Sequence, residues 1–371
     1  MTRRLAVKIG SALLITDDGQ LRQDWLEALA ADVAALMASG WQVVLVSSGA
    51  IRLGLDALGL AQGAKRLGDA QAAAALGQIR LAQGYRDAFA QLGLKAAQVL
   101  LTLEDSEQRR RYLNARTTLL TLLNADHIPI VNENDTVATE EIRFGDNDRL
   151  AARVATMVGA ELLVLLSDVD GLYTRSPGEA GAEHLAEVNA ITAEIQAMAA
   201  AHRDPRSRGG MATKLMAAQI ATRSGCALRI AEGRKAGALG QLMAGKLRST
   251  LFTAQATPQR ARAAWISGVL KPMGQLSIDA GAIKALRAGK SLLPAGVLAS
   301  TGQYGRGDCL SIVDEQGREV ARGLSLYDAS EAEQLYGLHS DAIEGVLGYS
   351  HGNALVHADD LVITRGGEDD A

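Results

Sequence analysis

Residues 128–150 of the 371-residue chain read IPIVNENDTVATEEIRFGDNDRL, and this stretch decides how the rest of the sequence is interpreted. The run IPIV (128–131) is typical of a buried strand. It changes at once into the polar cluster NEND (132–135), and a second cluster, DND (146–148), leads into a helical pattern. Asn and Asp are common in turns, but polar groups just beyond a strand also form ligand sites in open α/β folds.

The first two-thirds of the chain alternates apolar strands with Ala- and Leu-rich helices. Strands are predicted at residues 3–10, 41–51, 95–101, 128–131 and 161–169, and helices at 24–40, about 65–92 and 112–125. Continuous apolar strands separated by helices are typical of a mostly parallel sheet that is covered on both faces. We therefore predict a three-layer α/β/α domain over residues 1–255.

The helical and strand patterns weaken over residues 256–274, where Pro, Gln and Gly residues predict a linker. Beyond it, short segments such as CLSIVD (309–314) and EVARGLSLY (319–327) lie between Gly-rich turns. This pattern predicts a small β-rich barrel over residues 275–371.

The composition predicts a cytoplasmic protein without a membrane span. The chain is 48% hydrophobic and 22% charged, and it lacks the roughly 18 consecutive apolar residues that a span requires. Lys8 interrupts the apolar N-terminal run, which argues against a signal peptide. Cys226 and Cys309 are far apart and have no metal-ligand spacing, so we expect core thiols in a reducing cytosol.

Small polar and charged residues, together with glycines, lie at the ends of several predicted strands or at the start of a helix. They are Lys8, Gly10 and Ser11; Ser47, Ser48 and Gly49; Ser167 and Asp168; and residues 209–214. Helix N-termini and glycine turns offer backbone N–H groups to anions, and Lys adds a positive charge. Residues 209–214 do not fit the P-loop spacing. Together these signals predict a cleft that binds a nucleotide phosphate.

The two acidic and amide clusters point to a second substrate. Carboxylates would repel a nucleotide, so the clusters at 132–135 and 146–148 are expected to face another molecule. Asp135 is expected to pair with an amino group, while Asn134 and Asn147 are expected to donate to a carboxylate. An amino acid has both kinds of group.

Several motifs together resemble the glutamate 5-kinases of the amino-acid kinase superfamily. In chain order, and over residues 1 to about 255, they are VKIGSALL, VSSGAI, YLNARTT, IPIVNENDTVAT, FGDND, LLSDVDGLYT and GGMATKLMAA. Residues 275–353 resemble the PUA domain that is appended to many bacterial members. The resemblance implies the amino-acid kinase fold and ATP-dependent phosphorylation of the L-glutamate γ-carboxylate, the first step of proline biosynthesis. It also implies Mg²⁺ on the ATP phosphates, inhibition by proline, and a homo-oligomer, either a dimer or a tetramer.

The resemblance also assigns roles to individual positions. It implies three catalytic residues: Lys8 and Lys214 on the transferred phosphoryl group, and Asp148 to orient them. It implies a glutamate site formed by Ser48, Gly49, Asn134, Asp135 and Asn147. It implies an ATP site formed by Lys8, Gly10, Ser11, Ser167, Asp168, Gly209, Gly210, Met211, Ala212, Thr213 and Lys214. Ala12 and Arg208 depart from the family pattern. No protein-held metal is expected.

Two alternative functions stay open at this point. Acetylglutamate, aspartate and uridylate kinases belong to the same superfamily, although the paired NEND and GDND motifs argue against them. RNA binding through the C-terminal domain is disfavoured, because residues 275–371 carry seven Lys and Arg against fifteen Asp and Glu, a net charge of −8. Non-specific RNA affinity depends on neutralising phosphates with such cations. An acidic surface also permits a role in regulation or assembly.

Overall fold

The computed structural model describes residues 2–60, 63–64, 66–137, 146–201, 210–254, 256–268 and 270–364. The chain divides into two compact units, Met1–Pro258 and Gln259–Ala371. The stretch interpreted as a linker, 256–274, contains a helix over Pro258–Gly268 in which Ile266 is buried. The domain limits drawn from the sequence remain a prediction.

The first unit is built around one large sheet. Its strands are β1 (Arg3–Ile9), β2 (Trp41–Val46), β3 (Ala96–Leu101), β4 (Ile128–Glu133), β5 (Leu162–Ser167), β6 (Leu172–Tyr173), β7 (His184–Leu185), β8 (Glu187–Val188), β9 (Ala227–Glu232) and β10 (Ser249–Phe252). The sheet order is β3-β4-β2-β1-β5-β9-β10-β8. All neighbours are parallel except β9 and β10. The predicted mostly parallel sheet is confirmed. Strands β8, β9 and β10 are additions to it, and β6 and β7 form a separate two-stranded sheet.

Helices cover both faces of this sheet. They are α1 (Ser11–Leu14), α2 (Gln23–Ala38), α3 (Ala50–Gly54), α4 (Leu67–Ala90), α5 (Leu103–Glu107), α6 (Arg109–Asn124), α7 (Asp146–Val158), α8 (Ala193–Ala201), α9 (Met211–Arg223) and α10 (Ala238–Met243). Alternate strand residues enter two separate cores: Leu5 and Val7 of β1 pack with α2 and α4, whereas Ala6 packs with α7 and α9. The predicted three-layer arrangement is therefore confirmed.

Two glycines allow α3 and α4 to cross at very short range. A Cβ on Gly54 would lie 1.9 Å from the carbonyl oxygen of Ala73, and a Cβ on Gly77 would lie 1.8 Å from that of Ala50. Any side chain at either position would force the helices apart. Because α3 follows the loop after β2, this crossing brings the middle of α4 next to that loop.

The second unit is a β-rich body with its own core. It contains β11 (Gly274–Ile278), β12 (Val297–Gly302), β13 (Cys309–Val313), β14 (Glu319–Ser325) and β15 (Val356–Ile363), with α11 (Pro258–Gly268), α12 (Ala280–Arg287), α13 (Ala329–Leu335) and α14 (Ile343–Leu347). Its sheet order is β12-β11-β13-β14-β15. The apolar side chains of these strands, together with α12 and α13, form a separate hydrophobic cluster. The expected β-rich C-terminal region is confirmed.

Both cysteines lie inside their units. Cys226 and Cys309 are buried and are not joined in a disulfide, and burial raises the pKa of the Cys226 thiol. Neither is therefore poised as a nucleophile. Across the described parts of the chain, every helix is too short or too polar to cross a lipid bilayer.

Candidate active site

The polar clusters singled out in the sequence meet at one edge of the large sheet. Strands β1, β2, β4 and β5 are mutually parallel, so their carboxyl ends lie at the same edge. In the sheet, β2 lies on one side of β1 and β5 lies on the other, so the strand order reverses at β1. Ligands bind at such reversals of strand order in open α/β folds.

A buried ion-pair triad joins β1 to the starts of two helices. Lys8 Nζ lies 2.8 Å from Asp148 Oδ1, and Lys214 Nζ lies 3.4 Å from Asp148 Oδ2. The exposed fractions of these residues are 9% for Lys8, 0% for Asp148 and 5% for Lys214. The structure thus brings the three predicted catalytic residues together, although 206 positions separate the two lysines in the sequence.

The electrostatics of the triad favour an anionic ligand. Burial raises the pKa of Asp148, but the charges of Lys8 and Lys214 outweigh it and bring the pKa down to about 2. Burial lowers the pKa of Lys214, and the charge of Asp148 opposes that shift. Two ammonium groups and one carboxylate leave a net charge of +1. Buried charge is costly unless it is compensated, so the triad gains from a bound anion.

Helix α9 begins beside this triad. Gly210 is its N-cap residue. The hydroxyl of Thr213 lies 3.0 Å from Asp148 Oδ2 and 2.9 Å from the Gly210 carbonyl oxygen. The helix N-terminus therefore lies next to the two ammonium groups that contact Asp148. Gly209 lies outside the described residues.

The ends of β1 and β5 supply the remaining predicted nucleotide contacts. The Gly10 N–H donates to the Leu166 carbonyl oxygen at 3.2 Å, so it is used within the sheet. Ser11 begins α1 and is half-buried. Ser167 is 6% exposed, and its hydroxyl donates to Asp168 Oδ1 at 3.0 Å. The positions predicted for ATP thus share one sheet edge, but Gly10 keeps no free N–H.

The loop after β2 depends on a glycine with a positive φ. Gly49 has a φ of +104°, a value that favours glycine. A Cβ there would lie 2.4 Å from Ile15 Cδ1. The neighbouring Ser48 hydroxyl accepts a 2.8 Å hydrogen bond from Asn147 Nδ2. Two of the predicted glutamate-binding residues are therefore in direct contact.

The loop after β4 holds the other two predicted acceptor-site residues. Asp135 is 8% exposed, which is low for a carboxylate. Asn134 Oδ1 accepts a hydrogen bond from the Thr136 hydroxyl at 2.6 Å. Sequence analysis expected Asn134 to donate to a substrate carboxylate, and this contact leaves its amide N–H groups for that purpose.

Three residues near the site were missed from the sequence. Asn132 was given no role of its own within the cluster 132–135 that was expected to face the second substrate; it belongs to β4 and is 2% exposed. Its Nδ2 donates to Gln78 Oε1 of α4 at 2.7 Å. Tyr85, also on α4, is fully buried, and its hydroxyl lies 3.0 Å from Ser47 Oγ. The sequence carried one signal: Gln78 lies among the small residues of α4. Small residues in a helix indicate that it packs closely against another element.

The donor set of the site fits a metal held mainly by phosphate. Groups of three or more His, Cys, Asp or Glu that would hold a metal are absent from the described residues. Mg²⁺ usually takes one or two carboxylates together with substrate phosphates. Asp148 already contacts two lysines, so Asp168 is the carboxylate of this edge that suits such an ion.

Comparison with known proteins agrees with the geometry. Residues 3–232 match the amino acid kinase family, and residues 274–347 match the PUA domain. The chain is 52% identical to the Glutamate 5-kinase of Brucella ovis over 97% of this chain and 96% of the relative. It is 55% identical to Glutamate 5-kinase 1 of Rhizobium meliloti over 98% of this chain and 92% of the relative.

A solved structure supports the fold independently. Carbamate kinase from Giardia lamblia bound to AMP-PNP superimposes with a TM-score of 0.51 at 15% identity, and the match covers 68% of this chain and 99% of that one. At this identity the similarity concerns the fold alone. With the sequence match over residues 3–232, it shows that the chain belongs to the amino acid kinase family.

Proposed function

We propose that this protein transfers the γ-phosphoryl group of ATP to the γ-carboxylate of L-glutamate, giving L-glutamyl 5-phosphate and ADP. The single observation that carries the proposal is the buried triad of Lys8, Asp148 and Lys214 with its net positive charge. The names of the full-length relatives support glutamate as the acceptor.

The proposed chemistry needs charge stabilisation rather than a general base. A Glu-like carboxylate has a pKa of about 4.3 and is ionised at neutral pH, so an oxygen of the γ-carboxylate attacks the γ-phosphorus directly as the bond to ADP breaks. Phosphoryl transfer then depends on in-line positioning and on neutralising the oxygens of the moving group. Lys8 and Lys214 supply that charge, and Asp148 holds the two ammonium groups in place.

The proposed ATP site lies around the triad. It consists of Lys8, Gly10, Ser11, Ser167, Asp168 and residues 209–214. Since the Gly10 N–H already donates within the sheet, Gly10 contributes space rather than a hydrogen bond. Asp168 is the carboxylate that would hold Mg²⁺ bound with ATP, and the ion would neutralise part of the phosphate charge.

The proposed glutamate site lies on the loops after β2 and β4 and at the start of α7. It consists of Ser48, Gly49, Asn134, Asp135 and Asn147. The buried carboxylate of Asp135 is suited to the substrate ammonium, because charge-assisted hydrogen bonds are the strong ones. Asp135 is the one charged residue among these five, whereas the ATP site contains the two ammonium groups of Lys8 and Lys214.

Hydroxylamine trapping tests the proposed reaction. An acyl phosphate reacts with hydroxylamine to give a hydroxamate and phosphate, so the coloured product reports carboxylate phosphorylation. Incubation with ATP and L-glutamate is expected to give hydroxamate, whereas N-acetylglutamate and aspartate give little. ADP release with UMP in place of an amino acid is expected to stay at background. A preference for any of these three acceptors over glutamate would reject the proposed substrate.

The same proposal covers regulation and assembly. We infer that the enzyme acts in the cytoplasm in proline biosynthesis, is inhibited by proline, and forms a homo-oligomer, either a dimer or a tetramer. Proline added to the hydroxamate assay and size-exclusion chromatography test these points. RNA binding by residues 275–371 is disfavoured by their net charge of −8, and a gel shift at moderate salt tests it.

A further inference from the structure

A chain of amide and hydroxyl groups connects helix α4 to the proposed glutamate site. Gln78 Oε1 accepts from Asn132 Nδ2 at 2.7 Å. Asn132 Oδ1 accepts from Asn147 Nδ2 at 3.4 Å, and the same Nδ2 donates to Ser48 Oγ at 2.8 Å. We call these four residues the amide chain. It joins α4, β4, the start of α7 and the loop after β2, and Gln78 is 54 positions from Asn132 in the sequence.

The amide chain has a direction. A side-chain amide has two N–H donors and one carbonyl acceptor. Both donors of Asn147 point at protein partners, Ser48 and Asn132. Its carbonyl oxygen Oδ1 is buried and has no hydrogen-bond partner among the residues that the structure describes. Burying an acceptor without a partner is unfavourable, so this oxygen is prepared for a donor that arrives with the substrate.

An amino-acid substrate has one strong donor, its α-ammonium group, since ionised carboxylates only accept. The role expected for Asn147 from the sequence, donation to a substrate carboxylate, is therefore incompatible with this arrangement. We propose that Gln78 is a positioning residue that fixes the direction of the amide chain, so that Asn147 Oδ1 accepts a hydrogen bond from the substrate ammonium. This inference rests on the proposed phosphorylation of glutamate.

The location of Gln78 explains how it acts without touching substrate. Helix α4 is pressed against α3 at Gly77, where a Cβ would lie 1.8 Å from the Ala50 carbonyl oxygen. The next residue, Gln78, is thereby held against the buried end of β4, where Asn132 is 2% exposed. With Gln78 Oε1 as acceptor, Asn132 presents its carbonyl to Asn147, which sets the orientation of the second amide.

Two substitutions of nearly equal size test the direction of the chain. Gln78→Met removes the acceptor, and we expect the KM for glutamate to rise about fivefold, as for one lost neutral hydrogen bond. Gln78→Glu keeps an acceptor and has no donor, so it should recover most of this loss. The kcat and the KM for ATP should stay near wild-type values in both. Gln83→Met, an exposed Gln on the same helix, is the matched control.

An analogue isolates the ammonium contact. Glutarate has both carboxylates of glutamate but no amino group, so its inhibition constant should be equal in the wild type and Gln78→Met. If Gln78→Glu is as impaired as Gln78→Met, Gln78 donates and the direction is reversed. If glutarate binding weakens as much as glutamate binding, the ammonium is not the partner. Either result would overturn the inference, whereas a wild-type enzyme inactive on glutamate would overturn the proposed function.

Discussion

The two halves of the site use opposite means to hold polar groups inside the protein. The triad of Lys8, Asp148 and Lys214 is built from three charges with a net charge of +1. The amide chain, which includes Asn132 and Asn147, consists of neutral groups. Both lie at the carboxyl edge of one parallel sheet, so the fold alone does not account for the difference.

The ligands that each half is proposed to bind explain the contrast. A transferring phosphoryl group spreads negative charge over its oxygens, and fixed cations in a site of low polarity stabilise it strongly. A small zwitterion has to be recognised by orientation, and amides provide donors and acceptors in fixed directions. Asp135 is the one charge proposed for this half, opposite the substrate ammonium, and the amides fix the orientation of the amino acid around it.

Asp148→Asn should have the largest effect, because it removes the negative charge of the triad. The variant leaves two buried ammonium groups without their carboxylate, and breaking a buried ion pair in this way costs about 3–5 kcal/mol. We expect that loss in the free energy of unfolding, measured by urea denaturation. Adding Lys214→Met to Asp148→Asn should recover part of it, since one uncompensated charge disappears. Equal stability of the single and double variants would contradict the triad's electrostatics.

Asp135→Asn should test whether the acceptor half of the site acts separately from the ATP half. Asp135 is the charged residue there, and loss of a hydrogen bond to a charged group costs about 1.5–3 kcal/mol. We therefore expect the KM for glutamate to rise by roughly 10- to 100-fold with a small change in the KM for ATP. If the KM for ATP rose instead, the division of the site into two halves would be wrong.

The pH dependence of kcat should also test the charged half of the site. Of the effects predicted here, it should be the smallest. Lys214 is active as a cation, and burial lowers its pKa. Activity should therefore fall as the pH rises, at a pH below the ordinary Lys value of about 10.4. Asp148, with a pKa of about 2, should give no acidic limb above pH 4. Lys214→Arg should move the alkaline limb upward, because Arg does not deprotonate in this range.

Much of the fold was predictable because its signals are local. Strands such as β1 and β5 are continuous apolar runs, and apolar runs of this length between helices indicate a parallel sheet covered on both faces. Strands β6 to β8 have two residues each, which is too short for any periodicity. Strand β9 contains Arg229 in its middle, so its pattern is broken as well.

The candidate site was only partly predictable, for a different physical reason. Lys8, Asp148 and Lys214 stand out in sequence because glycine and polar motifs surround them. Gln78 has no such motif around it. The small residues of α4 indicate close packing, but they do not show that α3 is the partner or that Gln78 reaches β4. The direction of the Asn147 amide was also beyond sequence reasoning, because partners on other elements determine it.

The most direct test of the account is the turnover of Lys214→Met, measured by hydroxamate formation at saturating ATP and glutamate. Losing a charge-stabilising donor should cost about 3–4 kcal/mol in the barrier, or a kcat lower by about 10²- to 10³-fold. The fold should be retained, because Asp148 keeps its 2.8 Å contact with Lys8. Lys246→Met, at an exposed position of the same unit, is the control and should be fully active. A folded Lys214→Met enzyme with near-normal kcat would contradict the central claim.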